Sequence, residues 1–299
     1  MQKINNMPSS FSFVFFGTGP LAESVLASLM RAGYTPSLIV TKPDSHVGRL
    51  HTLTTPYIKV WAELKNIPVY QPITLKDLPR DNPLFTHPAD FFIVASYGKI
   101  IPQVILDHPQ FGALNVHPST LPFYRGPSPI ESTLLAGEET LGITIMKLDA
   151  DMDHGPLLVQ SSIPLQKKDT AGTLEVSAGM IGGDLLVQIL PHYLTGNLIP
   201  KEQDHTLATF CKKITKEQGE ILLTDSSILL LRKWQALTPW PGTFFFFTHH
   251  NKKIRVKISA IDIHKVSDEV IARDCIIKVI PEGKKEMSFE DFLRGYTVT

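Results

Sequence analysis

Leu114–Gly126, LNVHPSTLPFYRG, is the stretch whose reading decides the fold. Its start belongs to an apolar, β-rich run from Ala113 to His117, and Pro118, Pro122 and Gly126 then break the chain into turns. On an extended segment Asn115 and His117 share one face, because side chains alternate across a strand. Buried strand faces are usually apolar, so a carboxamide beside an imidazole needs a reason. Both groups donate hydrogen bonds, and together they suit a carbonyl oxygen that gains negative charge. An Asn that opens a turn and a His that caps a loop give the same pattern without any chemistry.

A third group lies further along, in MKLDADMDHGPLL (146–158), where Asp149, Asp151 and Asp153 follow a β-branched run. A carboxylate beside an imidazole favours the charged ring. Asn, His and Asp together would form an acid–base set for attack of an amine on a carbonyl carbon. A solvated turn is the commoner use of three acids in a loop.

Outward from these segments, residues up to about 196 alternate strand-like and helix-like runs. Phe11–Phe16, Ser37–Val40, Ile67–Tyr70, Phe91–Ala95 and Ala113–His117 are short and apolar, as buried parallel strands are. Leu21–Ala32, Pro56–Asn66, Pro129–Ala136 and Thr170–Leu194 read as helices, and Ile143–Leu148 and Leu157–Ile163 as further strands. This is the pattern of a doubly wound, Rossmann-like α/β domain, which binds ligands at the carboxyl ends of its strands. His117 stands at such an end.

Gly17-Thr18-Gly19-Pro20-Leu21-Ala22 matches the loose dinucleotide fingerprint. That fingerprint needs an acid ending the second strand, which instead ends Val40-Thr41-Lys42, with Asp44 later in a turn. A nicotinamide oxidoreductase is disfavoured on this ground.

Residues 197–210 are polar and read as a linker. In 211–299, Phe244–Thr248, Ile254–Ile261 and Cys275–Ile280 are short strands, the first two flanking a polar hairpin turn. The pattern suits a small β-barrel. Residues 1–210 hold 14 Lys/Arg against 18 Asp/Glu, while 211–299 hold 15 against 11. The surplus of cations in the second part suits a polyanionic partner. Two cysteines, Cys211 and Cys275, argue against a disulfide framework and fit a reducing compartment. The start, MQKINNMPSS, lacks an apolar signal core, and no stretch is expected to reach the ~20 apolar residues that cross a bilayer. A cytoplasmic protein is expected.

NVHPSTLPFYRGPSPI resembles the central signature of the 10-formyltetrahydrofolate-dependent formyltransferases, and MDHGPLL resembles the loop that carries their catalytic aspartate. ASYGKIIP (95–102) resembles the segment beside the folate pocket. CKKITKEQGEI, LTPWPG and GKKEMSFEDFLRG resemble the C-terminal domain of the branch that acts on initiator methionyl-tRNA. The resemblance implies Asn115, His117 and Asp153 as catalytic residues. It implies Tyr97, Gly98, Lys99, Ile100, Ser119, Thr120, Leu121 and Pro122 along 10-formyltetrahydrofolate, and Arg49 toward tRNA. It further implies a catalytic domain over 1–196, a linker over 197–210, an OB-like tRNA-binding domain over 211–299, no metal, and a monomer. His154 and Pro156 depart from the pattern around Asp153, so a change in the rigidity of that loop is expected.

Overall fold

The computed structural model describes residues 11–47, 52–250 and 252–296. Arg49, expected to reach tRNA, lies outside the described residues. In chain order the first strands are β1 (Phe13–Gly17), β2 (Leu38–Val40), β3 (Ser45–Val47), β4 (Thr52–Thr54), β5 (Val69–Tyr70) and β6 (Phe91–Ala95). They are followed by β7 (Ala113–His117), β8 (Thr140–Lys147) and β9 (Leu157–Pro164). Seven of these form one sheet in the order β5-β2-β1-β6-β7-β8-β9, and β3 pairs with β4 as a separate hairpin. The strands from β5 to β7 run parallel, and β8 turns back antiparallel to β7. Residues in β1, β2, β6 and β7 are buried throughout, as expected of strands covered on both faces.

The register fixes what each face carries. Phe92 pairs with Ala113 and Val94 with Asn115. Ala113, Asn115 and His117 therefore share the face on which Val14, Phe16, Phe92, Val94 and Tyr97 form a core.

The opposite face is covered by the Ala171–Leu194 helix, which approaches closely through glycines. A Cβ on Gly182 would collide with Val116 Cγ1, and one on Gly179 would collide with the Leu21 carbonyl oxygen. One on Gly183 would lie 2.6 Å from Ser28 Cβ. Contrary to the sequence expectation, this helix is long and apolar enough by length and composition to cross a membrane. Its apolarity has another use here, since its glycine face is packed against β7 and the Pro20–Arg31 helix.

The turn that resembled a dinucleotide fingerprint is tied to the end of β2, where the Thr18 and Thr41 hydroxyls lie 3.0 Å apart. Asp44 is also engaged, by Gln71 Nε2 at 2.8 Å, Lys59 Nζ at 3.2 Å and Thr55 Oγ1 at 3.2 Å. These hydrogen bonds, Gln71's foremost, hold its carboxyl below the usual range.

The later strands are β10 (Phe244–His249), β11 (Lys252–Ile261), β12 (Ile276–Pro281) and β13 (Met287–Ser288), an antiparallel sheet in that order. Helices Ser227–Leu237 and Phe289–Gly295 pack against its inner face, around Leu230, Phe245, Val256, Val279 and Phe292. Each begins with a serine that accepts from the first turn, Ser226 from Leu229 N–H and Ser288 from Asp291 N–H.

By compactness the chain forms two units. One gathers the chain through Pro127 with Gly142–Ile163 and Glu175–Phe210, and the other gathers Ser128–Leu141, Pro164–Leu174 and the chain from Cys211 onward. The grouping thus differs from the sequence-order boundaries expected, and residues 197–210 belong to the first unit.

Gly179→Val should destabilise the protein by about 1–3 kcal/mol, because the atom in the way is main chain and cannot swing aside. The check is the midpoint of urea unfolding at constant slope. An unchanged midpoint would refute close packing at this helix.

Candidate active site

Asn115 and His117 are 8% and 4% exposed on their shared face of β7. His117 Nε2 lies 3.0 Å from the Tyr124 carbonyl oxygen. A carbonyl only accepts, so Nε2 carries a hydrogen and donates it. The other ring nitrogen, Nδ1, faces Asp153 Oδ1 at 3.6 Å. Asp153 Oδ2 accepts from the Gly126 N–H at 2.8 Å. Among the described residues none hydrogen-bonds the Asn115 carboxamide, which leaves its donors available to a ligand.

Asp153 reaches His117 by an indirect path. Its loop leaves β8 beside the start of β7, where Leu148 N–H donates to the Ala113 carbonyl at 2.8 Å. It rejoins the sheet at Pro156, whose carbonyl accepts from Lys147 N–H at 2.8 Å. His117 is at the far end of β7, so the loop must double back along the strand. Asp153 itself has φ +50°, in the left-handed region that favours glycine.

The turn after His117 is held from inside. The buried Thr144 hydroxyl donates to the Ser119 carbonyl at 2.6 Å and accepts from Leu121 N–H at 3.3 Å and Gln160 Nε2 at 2.9 Å. Ser119 Oγ donates to the Phe123 carbonyl at 2.7 Å. Thr209 closes the outer side: its N–H donates to the Pro122 carbonyl, its hydroxyl accepts from Tyr124 N–H, and its carbonyl accepts from Arg125 N–H. Ser119 and Leu121 are consequently buried within the protein, and Thr120 abuts Gly142.

Tyr97–Ile100 leave the end of β6, next to the end of β7 in the sheet. Tyr97 is buried against Phe16, and burial, with Tyr70 nearby, pushes its hydroxyl pKa up to about 12. Lys99 Nζ donates to the Pro72 and Ile73 carbonyls at 2.7 and 2.8 Å, and Ile100 is 84% exposed. The structure thus brings His117 and Asp153 into direct opposition. It puts the 97–100 and 119–122 segments at neighbouring strand ends. Clefts of about 430 and 730 Å³ are lined by Gly112, Lys147 and Asp149 and by Leu75, Phe85 and His108, and neither by His117 or Asp153. Among the described residues no cluster of three or more His, Cys, Asp or Glu side chains could hold a metal.

Sequence reasoning missed Thr144, Gln160, Thr209 and Gln203 as supports of this site. Each is a polar residue whose partners are remote in sequence, and no local pattern marks it.

The outer face of the C-terminal sheet has a separate character. Pairing sets Phe244 opposite Lys257, Phe246 opposite Arg255 and Thr248 opposite Lys253. Lys253 Nζ sits 4.0 Å from the centre of the Phe246 ring, and Arg255 Cζ sits 3.7 Å from that of Phe244. Phe246 is 39% exposed, so cations and an open aromatic ring share this face.

Residues 11–190 match the formyl transferase family, and residues 213–273 match the formyl transferase C-terminal domain. A methionyl-tRNA formyltransferase of Chloroflexus aurantiacus is 37% identical over 94% of this chain and 96% of its own. One from Dehalococcoides mccartyi is 35% identical over 96% of each. Among solved structures, a 4-N formyltransferase from Francisella tularensis shares the fold at TM-score 0.61 and 15% identity, over 81% of this chain and 94% of its own. HypX from Aquifex aeolicus in complex with tetrahydrofolic acid does so at TM-score 0.60 and 16% identity, over 95% of this chain and 47% of its own. With both domains matched and its relatives aligned over nearly their whole length, the chain belongs to the methionyl-tRNA formyltransferases.

Proposed function

We propose that Asn115, His117 and Asp153 carry the reaction of this family, the transfer of a formyl group from 10-formyltetrahydrofolate to the α-amine of initiator methionyl-tRNA. The opposition of His117 Nδ1 and Asp153 Oδ1 carries this assignment. With the Nε2 hydrogen committed to Tyr124, Nδ1 is the ring nitrogen left to face Asp153 and the incoming formyl group.

Attack of the amine on the formyl carbon forms the new C–N bond and moves an electron pair to the formyl oxygen. Asn115, whose carboxamide is free, and the Nδ1–H of His117 donate to that oxygen as charge develops. The Asp153 carboxylate takes the proton that the amine must lose and returns it toward the departing folate nitrogen, directly or through water. Collapse breaks the old C–N bond and leaves formylated methionyl-tRNA. The proton that leaves the amine is the one that reaches the folate nitrogen, so none is gained or lost overall.

In this reading Tyr97, Gly98, Lys99 and Ile100 form one wall for the folate, and Ser119, Thr120, Leu121 and Pro122 the other. The anchoring of Lys99 and the internal bonds of Ser119 make both walls stiff, so they supply shape and main-chain groups. The unit that contains residues 211–299 engages the tRNA backbone through the cation–aromatic face of β10 and β11, with Arg49 assisting. The enzyme acts as a cytoplasmic monomer.

Asp153→Asn should melt like the parent, because the amide oxygen can still accept from Gly126, yet lose at least about 10²-fold in kcat. Asn115→Ala and His117→Ala should each cost about 10²-fold or more, as loss of an oxyanion donor does. Initial rates of formyl transfer to charged initiator tRNA test all three, and near-parental rates for Asp153→Asn would sink its role.

The double variant Lys253→Ala/Lys257→Ala should raise KM for tRNA with kcat little changed. It should also flatten the dependence of log KM on log salt by about 0.7–0.9 for each phosphate left without its cation. An unaltered salt slope would remove this face from the tRNA interface.

A further inference from the structure

We infer that Gln203, in the stretch that reads as a linker, is the positioning residue of the catalytic aspartate; this rests on the assignment of Asp153 above. Gln203 is 5% exposed. Its Nε2 donates to the Asp153 carbonyl at 3.0 Å and to the Gly155 carbonyl at 2.7 Å. Both of its amide hydrogens are thus spent on the main chain of Asp153 and the residue two further on. Its Oε1 accepts from Arg125 Nη2 at 2.5 Å and Nε at 3.2 Å. A guanidinium only donates, so Arg125 dictates which way round the amide lies. The oxygen must face the arginine, and the donors must face the catalytic loop.

The loop needs such a hold. Left-handed backbone at a residue with a Cβ costs on the order of 1 kcal/mol, so the φ of Asp153 persists only if its surroundings impose it. The bond from Gln203 acts on the carbonyl of that residue. It fixes the peptide plane while the side chain reaches across to His117 and Gly126.

A second hold acts on the side chain of His154. Its Nδ1 lies 2.7 Å from Asp149 Oδ2, and its ring stacks on that of His205 with centroids 4.0 Å apart and planes 2° from parallel. His205 Nδ1 lies 2.9 Å from Arg125 Nη2, so it is the unprotonated nitrogen of that ring. Arg125, 3% exposed, therefore reaches the loop twice, once through Gln203 and once through His205 and His154. Residues 203–205 and Arg125 form a backing for the catalytic loop. None of these groups needs to touch either substrate.

The test is a double-mutant cycle of Gln203→Glu and Asp153→Asn, read by single-turnover formyl transfer, substrate KM values and thermal melting. Glutamate keeps acceptors for Arg125 but lacks both donors and turns oxygens toward two carbonyls. In the parent background Gln203→Glu should lower the chemical rate roughly 10-fold to 10²-fold, as misplacement of a reacting group does. KM for both substrates should stay within about 3-fold, since the substrate-lining segments are held by other bonds. In the Asp153→Asn background the same change should cost less than about 2-fold, because a positioning residue has nothing left to position. Equal losses in both backgrounds, or an unaltered rate in the parent, would overturn the proposal while leaving Asp153 catalytic. Parental activity of Asp153→Asn alone would overturn the underlying assignment and this proposal together. Should Gln203→Glu fail to fold, Gln203→Met keeps the volume, removes the donors and enters the same cycle.

Discussion

The hydrogen bond from His117 Nε2 to the Tyr124 carbonyl is the constraint on which the site depends. It selects the nitrogen that must carry a hydrogen, and so turns Nδ1 toward Asp153. The acceptor is a main-chain group seven residues on, so the tautomer is set by the shape of the 118–126 turn. Tyr124 has φ +56°, another left-handed residue with a Cβ. That turn is in turn held by two threonines, Thr144 from beneath and Thr209 from outside. A buried imidazole and carboxamide would cost several kcal/mol without partners. Here His117 is satisfied by the turn, while the Asn115 carboxamide keeps its donors unspent among the described residues.

The sheet explains why this pair can sit on a buried strand at all. β7 runs parallel to β6 on one side and antiparallel to β8 on the other. Its outer face, with Val116, is sealed by the glycines of the Ala171–Leu194 helix. Strand and helix are therefore close to rigid. A site built on such a strand keeps its geometry without help from substrate, which is what preorganised hydrogen-bond donors require.

The strand carrying Asn115 and His117 is legible from sequence because it is written locally. Phe91–Ala95, Ala113–His117 and Pro129–Ala136 have the bounds that their apolar runs and turn-forming neighbours predict. Other features are not written locally. Nothing in ITIMKL says that β8 runs antiparallel to β7, since strand direction belongs to the partner. The β3–β4 pair hides in a polar segment, and the Ser227–Leu237 helix hides in a dense run, SILLLRKWQAL, with little periodic signal. Gln203 has no local signature at all. A glutamine among Lys, Glu and Asp looks solvated, and only the fold reveals that a buried arginine and two carbonyls surround it.

The departures from the family pattern around Asp153 follow from the same backing. Pro156 has no N–H, but its carbonyl is what the sheet uses, accepting from Lys147. Gly155 passes so close to β8 that a Cβ would collide with the Lys147 carbonyl oxygen. His154, between Asp149 and His205, fills the position between two residues whose carbonyls are already held by Gln203. Proline, glycine and histidine here each remove freedom in a different way: by ring closure, by close approach and by stacking. Together they leave Asp153 as the residue of that loop whose side chain faces His117, and the stiffness of its neighbours is what keeps a left-handed aspartate aimed at the imidazole.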